Sequence, residues 1–381
     1  MMRKLAIIGA SYLQEPLIQK AKSRGIETHV FAWAANDVGE KSADHFYPIS
    51  IVEKETILQK CREIGIDGIC SIASDLAMVT VNYVAEQMGL TGNSVRATEK
   101  STNKHLMRLA FEAGKDPSPK SILVDGQTDL SALDLTYPVI VKPTDRSGSR
   151  GIYKLQDPSG LQDAVAAAME QSFEKKALVE EYAEGQEYSV EFVSYQGEHH
   201  FLALTQKYTT GAPHFIETGH LQPAPVDAET LSRVKAVVSH ALDTLELRNG
   251  ASHSEIKIDA QGNIRLIEIG GRMGGDFIGS NLVELSTGVD FVGAVISIAL
   301  GERPVLPDQI KPIGASAVRF VFSNEDVLVF ERLKREHPSY LVASEIHPCV
   351  GEITDSSNRF GYYLLKAARI EDLIPYLPDK E

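Results

Sequence analysis

An α/β fold is predicted for this chain of 381 residues, from three observations. Strand-like and helix-like segments alternate through the first ninety residues. Two later apolar strands each carry a charged residue in an otherwise hydrophobic run. Two hairpin-like stretches are separated by one long amphipathic segment. In order, residues 5–8 form a short apolar strand ending at Gly9, and residues 13–24 have helical spacing. Residues 28–32 and 46–49 read as strands, 53–64 as helix, 68–72 as strand, and 76–88 as a helix stopped by Gly89. Such alternation builds a parallel sheet through right-handed crossovers. The turn Gly9-Ala10-Ser11-Tyr12-Leu13-Gln14 lacks the G-x-G-x-x-G spacing that lets backbone approach a pyrophosphate, so a dinucleotide site is not expected there.

Residues 94–113 read as one helix, with Lys100, Lys104 and Arg108 four residues apart, broken by Asp116-Pro117-Ser118-Pro119. A strand at 139–143, a loop at 144–151, a strand at 152–155, a helix at 161–172 and a strand at 177–182 follow. The hairpin-like stretches cover 187–204 and 252–269, around a helix at 228–245. Past Gly301 come Pro304, Pro307 and Pro312, and then a segment of mixed α and β.

Thirty-eight basic against 52 acidic residues give 38 − 52 = −14, which argues against a general grip on nucleic acid or anionic lipid. The cysteines, Cys61, Cys70 and Cys349, are odd in number and form no close-spaced metal pattern, as suits a reducing compartment. The apolar run after Lys4 is too short for a signal segment, and the longest, 291–300, is too short to span a bilayer, which takes about 20 residues. A cytoplasmic protein with no nucleic-acid or membrane partner is expected.

Lys142 sits inside an apolar strand, where a buried ammonium is costly unless it meets an anion. The loop after it, Asp145-Arg146-Ser147-Gly148-Ser149-Arg150-Gly151, offers the glycines and exposed amides of a flap over phosphates. The strand His253-Ser254-Glu255-Ile256-Lys257-Ile258 turns through 259–263 into Ile264-Arg265-Leu266-Ile267-Glu268-Ile269. Period-two alternation puts His253, Glu255 and Lys257 on one face, and Glu268 with Leu266 on one face of the partner, Ile267 and Ile269 opposite. A four-residue turn sets Glu255 directly across from Glu268; a register one residue different makes them diagonal. Facing carboxylates repel and call for a cation, and hard oxygen ligands near phosphate select magnesium. The plainer alternative is a solvent-facing pair of strands.

Lys104, Val141-Lys142-Pro143, the Ser147–Gly151 flap, Glu180-Glu181-Tyr182 and the glutamate hairpin follow one another in the order of the ATP-grasp superfamily, which the whole chain resembles. The resemblance implies an ATP-grasp fold with an N-terminal βαβ, Rossmann-like preATP-grasp domain at 1–95. It also implies an ATP-grasp domain at 96–300, with its flap subdomain at about 115–186, and a C-terminal α+β segment at 301–381. It implies that Lys104 and Lys142 contact ATP phosphates, that Ser147, Gly148, Ser149 and Gly151 cover them, that Glu180, Glu181, Tyr182 and Ala183 form the adenine hinge, and that Glu187 takes the ribose. Glu255 and Glu268 match the magnesium ligands, with manganese as the substitute, and Arg272 matches an anion-stabilising arginine.

One departure stands out. Where the family often writes Glu-x-Asn-x-Arg, this chain has Glu268-Ile269-Gly270-Gly271-Arg272, leaving one or two magnesium ions open, with Asn281 or a water to fill the gap. The polar stretch from His214 through Glu217 to His220, and the Gly274-Gly275-Asp276 loop, resemble the L-amino acid ligase group. That implies a carboxylate–amine ligase working through an acylphosphate on small substrates, amino acids among them. Substrate contacts then fall to His214, Glu217, His220, Arg272, Gly274 and Gly275, with Arg272, Glu217 and His220 as the catalytic set. A homodimer is expected. Two alternatives stay open: a purine-pathway enzyme resembling phosphoribosylglycinamide synthetase or the aminoimidazole ribonucleotide carboxylases, and a nucleotide binder without turnover. Glu217 and His220 are read as loop residues, because their segment has neither helical nor strand period.

Overall fold

The computed structural model describes residues 2–146, 150–211 and 215–378. Its first sheet has the spatial order His45–Tyr47, Glu27–Phe31, Lys4–Ile8, Gly68–Cys70, all pairs parallel. The helices Glu15–Ser23, Lys54–Ile64 and Asp75–Met88 lie along the connections. Gly65 and Gly89 close two of them in the left-handed conformation, the ordinary glycine stop.

Eight antiparallel strands make the central sheet, in the order Ile264–Gly270, Gly250–Ile258, Gln186–Tyr195, Glu198–Thr209, Glu217–Gln222, Ala315–Phe320, Gly361–Ala367, Leu341–Ile346. The last three strands therefore continue the sheet that carries the glutamate hairpin. A separate four-stranded antiparallel sheet, Ser121–Val124, Ala177–Glu181, Val139–Pro143, Tyr153–Leu155, stands over it. The chain passes between the two at Gly185, whose φ of +111° and backbone contact with Ile258 leave no room for a side chain. The apolar helix Phe291–Ala299 belongs to the same buried cluster as Leu5, Ile7, Leu17 and Val193, and so joins the first sheet to the central one. Among the described residues no single helix is long and apolar enough to cross a membrane.

Three expectations change here. The helix at 94–113 is two helices, Val95–Thr102 and Lys104–Gly114. Asn103 is extended between them, and its side chain accepts from the amides of His105 and Leu106, a local bond that competes with helix continuation. Second, Glu217–Gln222 is a strand, not a loop. Gly219 to Gln222 are buried whether polar or apolar, with Gln222 Nε2 donating to Thr205 Oγ1 at 3.0 Å, so no polar–apolar period marks it. Third, Glu255 does pair directly with Glu268, but a bulge carries it there: the register steps between Glu255 and Ile256, Ile256 faces Leu266, and Ile267 is the extra residue. Leu266 and Ile269 consequently enter the core with Ile256, whereas Ile267 turns to the same cleft as Glu268.

Candidate active site

A cleft between the four-stranded sheet and the central sheet gathers most of the residues singled out from sequence. The upper wall carries Lys142, Glu180, Glu181, Tyr182 and Ala183; the floor carries Glu187, Glu217, Glu255 and Glu268; Lys104 and Arg272 close the end. Arg150 and Ile152 line it, while Gly151 between them does not. Ser147, Gly148, Ser149 and His214 lie outside the described residues.

The break at Asn103 matters at once. It makes Lys104 the first residue of its helix, with its amide on Thr144 O at 2.7 Å and its Nζ on Arg146 O at 2.6 Å and Glu268 Oε1 at 2.8 Å. Lys142 is buried, as its cost required, and meets Glu180 at 2.5 Å. Arg108 holds the same carboxylate through Nε at 2.8 Å and also donates to Ile267 O at 2.7 Å. Burial alone raises the Glu180 pKa, but Arg108 and Lys142 together bring it below the usual carboxylate value. Lys142 is held below the ordinary lysine value, by burial first and then by Arg108 and Lys104, against the pull of Glu180. Two fixed cations and one shared anion leave this corner short of negative charge. Because the Glu180 side chain is taken up here, a base in the hinge is left to the backbone of the neighbouring residues and to Tyr182, whose ring has Lys154 Nζ 3.5 Å and Lys257 Nζ 4.6 Å from its centroid.

Lys207 was not anticipated. It lies on the strand Glu198–Thr209, 4% exposed, and its Nζ is 2.6 Å from Glu187, 2.8 Å from Glu255 and 3.7 Å from Glu217. Burial opposes its charge, yet Glu187, Glu255 and Glu217 outweigh that and raise its pKa well above the ordinary lysine value. Nothing in the sequence marked it as Lys142 is marked, because Thr205, Gln206 and Thr209 surround it and make no apolar run.

The glutamate pair therefore does not sit as a bare repulsion. Glu255 is answered by Lys207, with His253 Nε2 at 3.8 Å, and Glu268 by Lys104. Burial pushes the Glu255 carboxyl up, but Lys207 and His253 take it well below the usual range. Behind it, Glu191 is fully buried, bonded to His253 Nδ1 and accepting from the Gly274 amide at 3.0 Å. This fixes the imidazole and the start of the Gly274-Gly275 loop together. Two carboxylates at directly opposed positions, facing the cleft, are donors that fit a hard divalent cation.

Other predicted residues lie around this centre. Arg272 lines the cleft and pairs with Asp75. Glu217 lines the cleft too; burial raises its carboxyl above the ordinary value, with Asp276 adding to it and Lys207 opposing. His220, expected beside it as a catalytic and substrate residue, is 1% exposed and contributes nothing to the cleft wall. A bulge explains this: the register steps between Tyr208 and Thr209, so His220, paired across with Lys207, stays on the face of Glu217 but farther along it, covered, edge-on to Phe320 and with Nε2 3.9 Å from Asp276 Oδ2. Gly274 and Gly275 line a smaller neighbouring cavity with Tyr12, Leu13, Ala73 and Phe277. Asp276 is clamped by Arg359, at 2.7 and 2.9 Å, which also donates to Glu217 O at 3.3 Å.

The sequence profile of the ATP-grasp domain matches residues 135–280. That stretch is similar to the ATP-grasp domain, and the chain has the mixed α/β fold of ATP-grasp structures. Among curated proteins, alanine–anticapsin ligase of Bacillus subtilis (strain 168) is 26% identical over 279 residues, 67% of this chain and 58% of that one. The chain thus spans under two thirds of the length of the curated relatives it matches first. Among solved structures, an L-amino acid ligase from Bacillus licheniformis superposes with a TM-score of 0.83 at 21% identity, covering 98% of this chain and 95% of that one. A phosphoribosylglycinamide synthetase from Anaerococcus prevotii gives 0.78 at 21% identity, covering 98% and 96%. At these identities the structural likeness speaks for the fold.

Proposed function

We propose that this protein is an ATP-dependent carboxylate–amine ligase that joins small substrates, amino acids in particular, through an acylphosphate. The observation that carries the reading is the convergence of Lys104, Lys142 and Lys207 with the opposed Glu255 and Glu268 around one cleft. Lys142 and Lys104 hold the phosphates of ATP, Tyr182 and Ala183 with the adjoining backbone hold its base, and Glu187 its ribose. Glu255 and Glu268 would hold a magnesium or manganese ion, whose chemistry there would be to neutralise phosphate oxygens. An oxygen of the substrate carboxylate takes the γ-phosphoryl group and ADP leaves. The amine nitrogen of the second substrate then attacks the acyl carbon, phosphate departs, and the nitrogen loses its proton. Arg272 holds the acylphosphate and the developing oxyanion, and the ionised carboxylate of Glu217, on the cleft wall and made more basic by burial, accepts the proton. Positioning and charge do most of this work.

The ligase names among the relatives support amino acids as substrates. A ribotide substrate needs a second phosphate site, and the cavity beside Tyr12 and Gly274 has no lysine or arginine among its described lining residues. The test is ADP release with magnesium and a matrix of paired L-amino acids, with the amide product identified by mass. Release that requires both partners of a pair supports the ligase. Tight ADP binding with no release for any pair supports a nucleotide binder instead.

A further inference from the structure

We propose that Asp75, on the N-terminal domain, is the positioning residue for Arg272, and that position 270 is glycine in this chain because the Asp75 carboxylate holds the space a side chain there would need. Asp75 is the first residue of the helix Asp75–Met88, capped by Ser74, whose side chain accepts from the Ala77 amide. It meets Arg272 from 197 residues away, with Nε to Oδ1 at 3.0 Å and Nη2 to Oδ2 at 2.9 Å. This is the two-pronged geometry that fixes a guanidinium plane as well as its charge. Nη1 donates to Met273 O at 3.3 Å. Three of the five N–H groups are thus committed, and two are left to meet an anion at the cleft wall that Arg272 lines.

Gly270 shows why the arrangement is exclusive. Its backbone is outside the left-handed region, so nothing in its conformation calls for glycine. A Cβ placed there, however, would lie under 3.0 Å from Oδ1 of Asp75 and 3.2 Å from Nε of Arg272. An aspartate oxygen is ordinarily free to move aside. This one is not, because moving it breaks the pair with Arg272. A side chain at 270 and the Asp75–Arg272 pair therefore compete for one volume, and the chain keeps the pair. The same contact ties the N-terminal domain to the reacting end of the cleft.

The proposal rests on the ligase reading for what Arg272 stabilises, but not for the competition itself. Three variants test it: Asp75→Asn, Gly270→Asn, and Gly270→Asn in an Asp75→Ala background. Asp75→Asn keeps shape and removes the charged clamp. ADP release should fall about 10²-fold in kcat, with KM for ATP within about threefold and a lowered melting temperature from the unpaired Arg272. A merely structural tie predicts a lowered melting temperature with kcat and KM intact, and that result overturns the proposal. Urea unfolding needs no turnover. There Gly270→Asn should lower the midpoint clearly on its own and scarcely at all beside Asp75→Ala, where the asparagine has room. Independent, additive effects at 75 and 270 overturn the competition. A wild type that releases no ADP with any amino-acid pair removes the ligase reading, while the coupling in unfolding still decides for or against this one.

Discussion

Lys104 and Glu268 neutralise each other across the cleft, Nζ to Oε1 at 2.8 Å. One was assigned to phosphate and the other to metal, so in this structure each holds the place of the other's ligand. Under the proposed roles, polyphosphate alone would have to draw Lys104 from Glu268 and a divalent cation alone would have to displace Lys104, whereas the two together would exchange one ion pair for two, favouring the metal–nucleotide complex over either part.

Glu268→Gln should therefore lose most ADP release and flatten its dependence on magnesium, because one carboxylate cannot hold the ion as two do. The opposed glutamates suggested that removing one charge would relieve strain. Since Lys104 is 5% exposed and would keep only Arg146 O, a loss of about 1–2 kcal/mol is expected instead. ADP release against magnesium for both proteins, with urea unfolding, reads both effects. Overlaid magnesium curves would mean that the hairpin holds no metal.

Replacing Lys142 by alanine should weaken nucleotide binding about tenfold or more while the fold survives, because Arg108 remains on Glu180. Unchanged ADP affinity in calorimetry would remove Lys142 from the phosphate site.

Lys207→Met is expected to be the costlier change. It leaves Glu187, Glu217 and Glu255 facing one another without their common cation, and a loss of about 3–5 kcal/mol is expected. A shift in the urea midpoint equivalent to less than 1 kcal/mol would show that these carboxylates protonate or find water at little cost.

Glu217→Gln should lower kcat more than His220→Asn does, since Glu217 forms part of the cleft wall and His220 is covered beside Phe320. About 10²-fold is expected for the glutamate change. The reverse order would return the proton-accepting role to His220.

Burial pushes the thiols of Cys61 and Cys70 up to about 12. Alkylation of the native protein at pH 8 should therefore mark Cys349, which is partly exposed, well before the other two. Equal labelling of all three on the same time scale would contradict the packing of the N-terminal sheet.

The N-terminal sheet, Lys142 and the glutamate hairpin were legible because each breaks or keeps a simple period: strand–helix alternation, a charge in an apolar run, acids at every second place. What was hidden depends on a third dimension. The strand Glu217–Gln222 buries Gly219 to Gln222 whether polar or apolar and shows no period. The bulge at Ile267 shifts a register that counting along the turn cannot supply. Asp75 meets Arg272 across two domains, and neither residue announces the other. Lys207 was hidden too, since its neighbours Thr205, Gln206 and Thr209 make no apolar run and its three carboxylates meet it only in the fold.

The central sheet also sets an order of events during synthesis. The strand Glu217–Gln222 pairs on its far side with Ala315–Phe320, which pairs in turn with Gly361–Ala367, and Arg359 just before that strand clamps Asp276 beside the cleft. A nascent chain that has already made its nucleotide-facing hairpin still presents an open strand edge and an unclamped loop at the ribosome. Only when its last strands emerge are both closed, so a truncated translation product would expose an adhesive edge as well as lack activity.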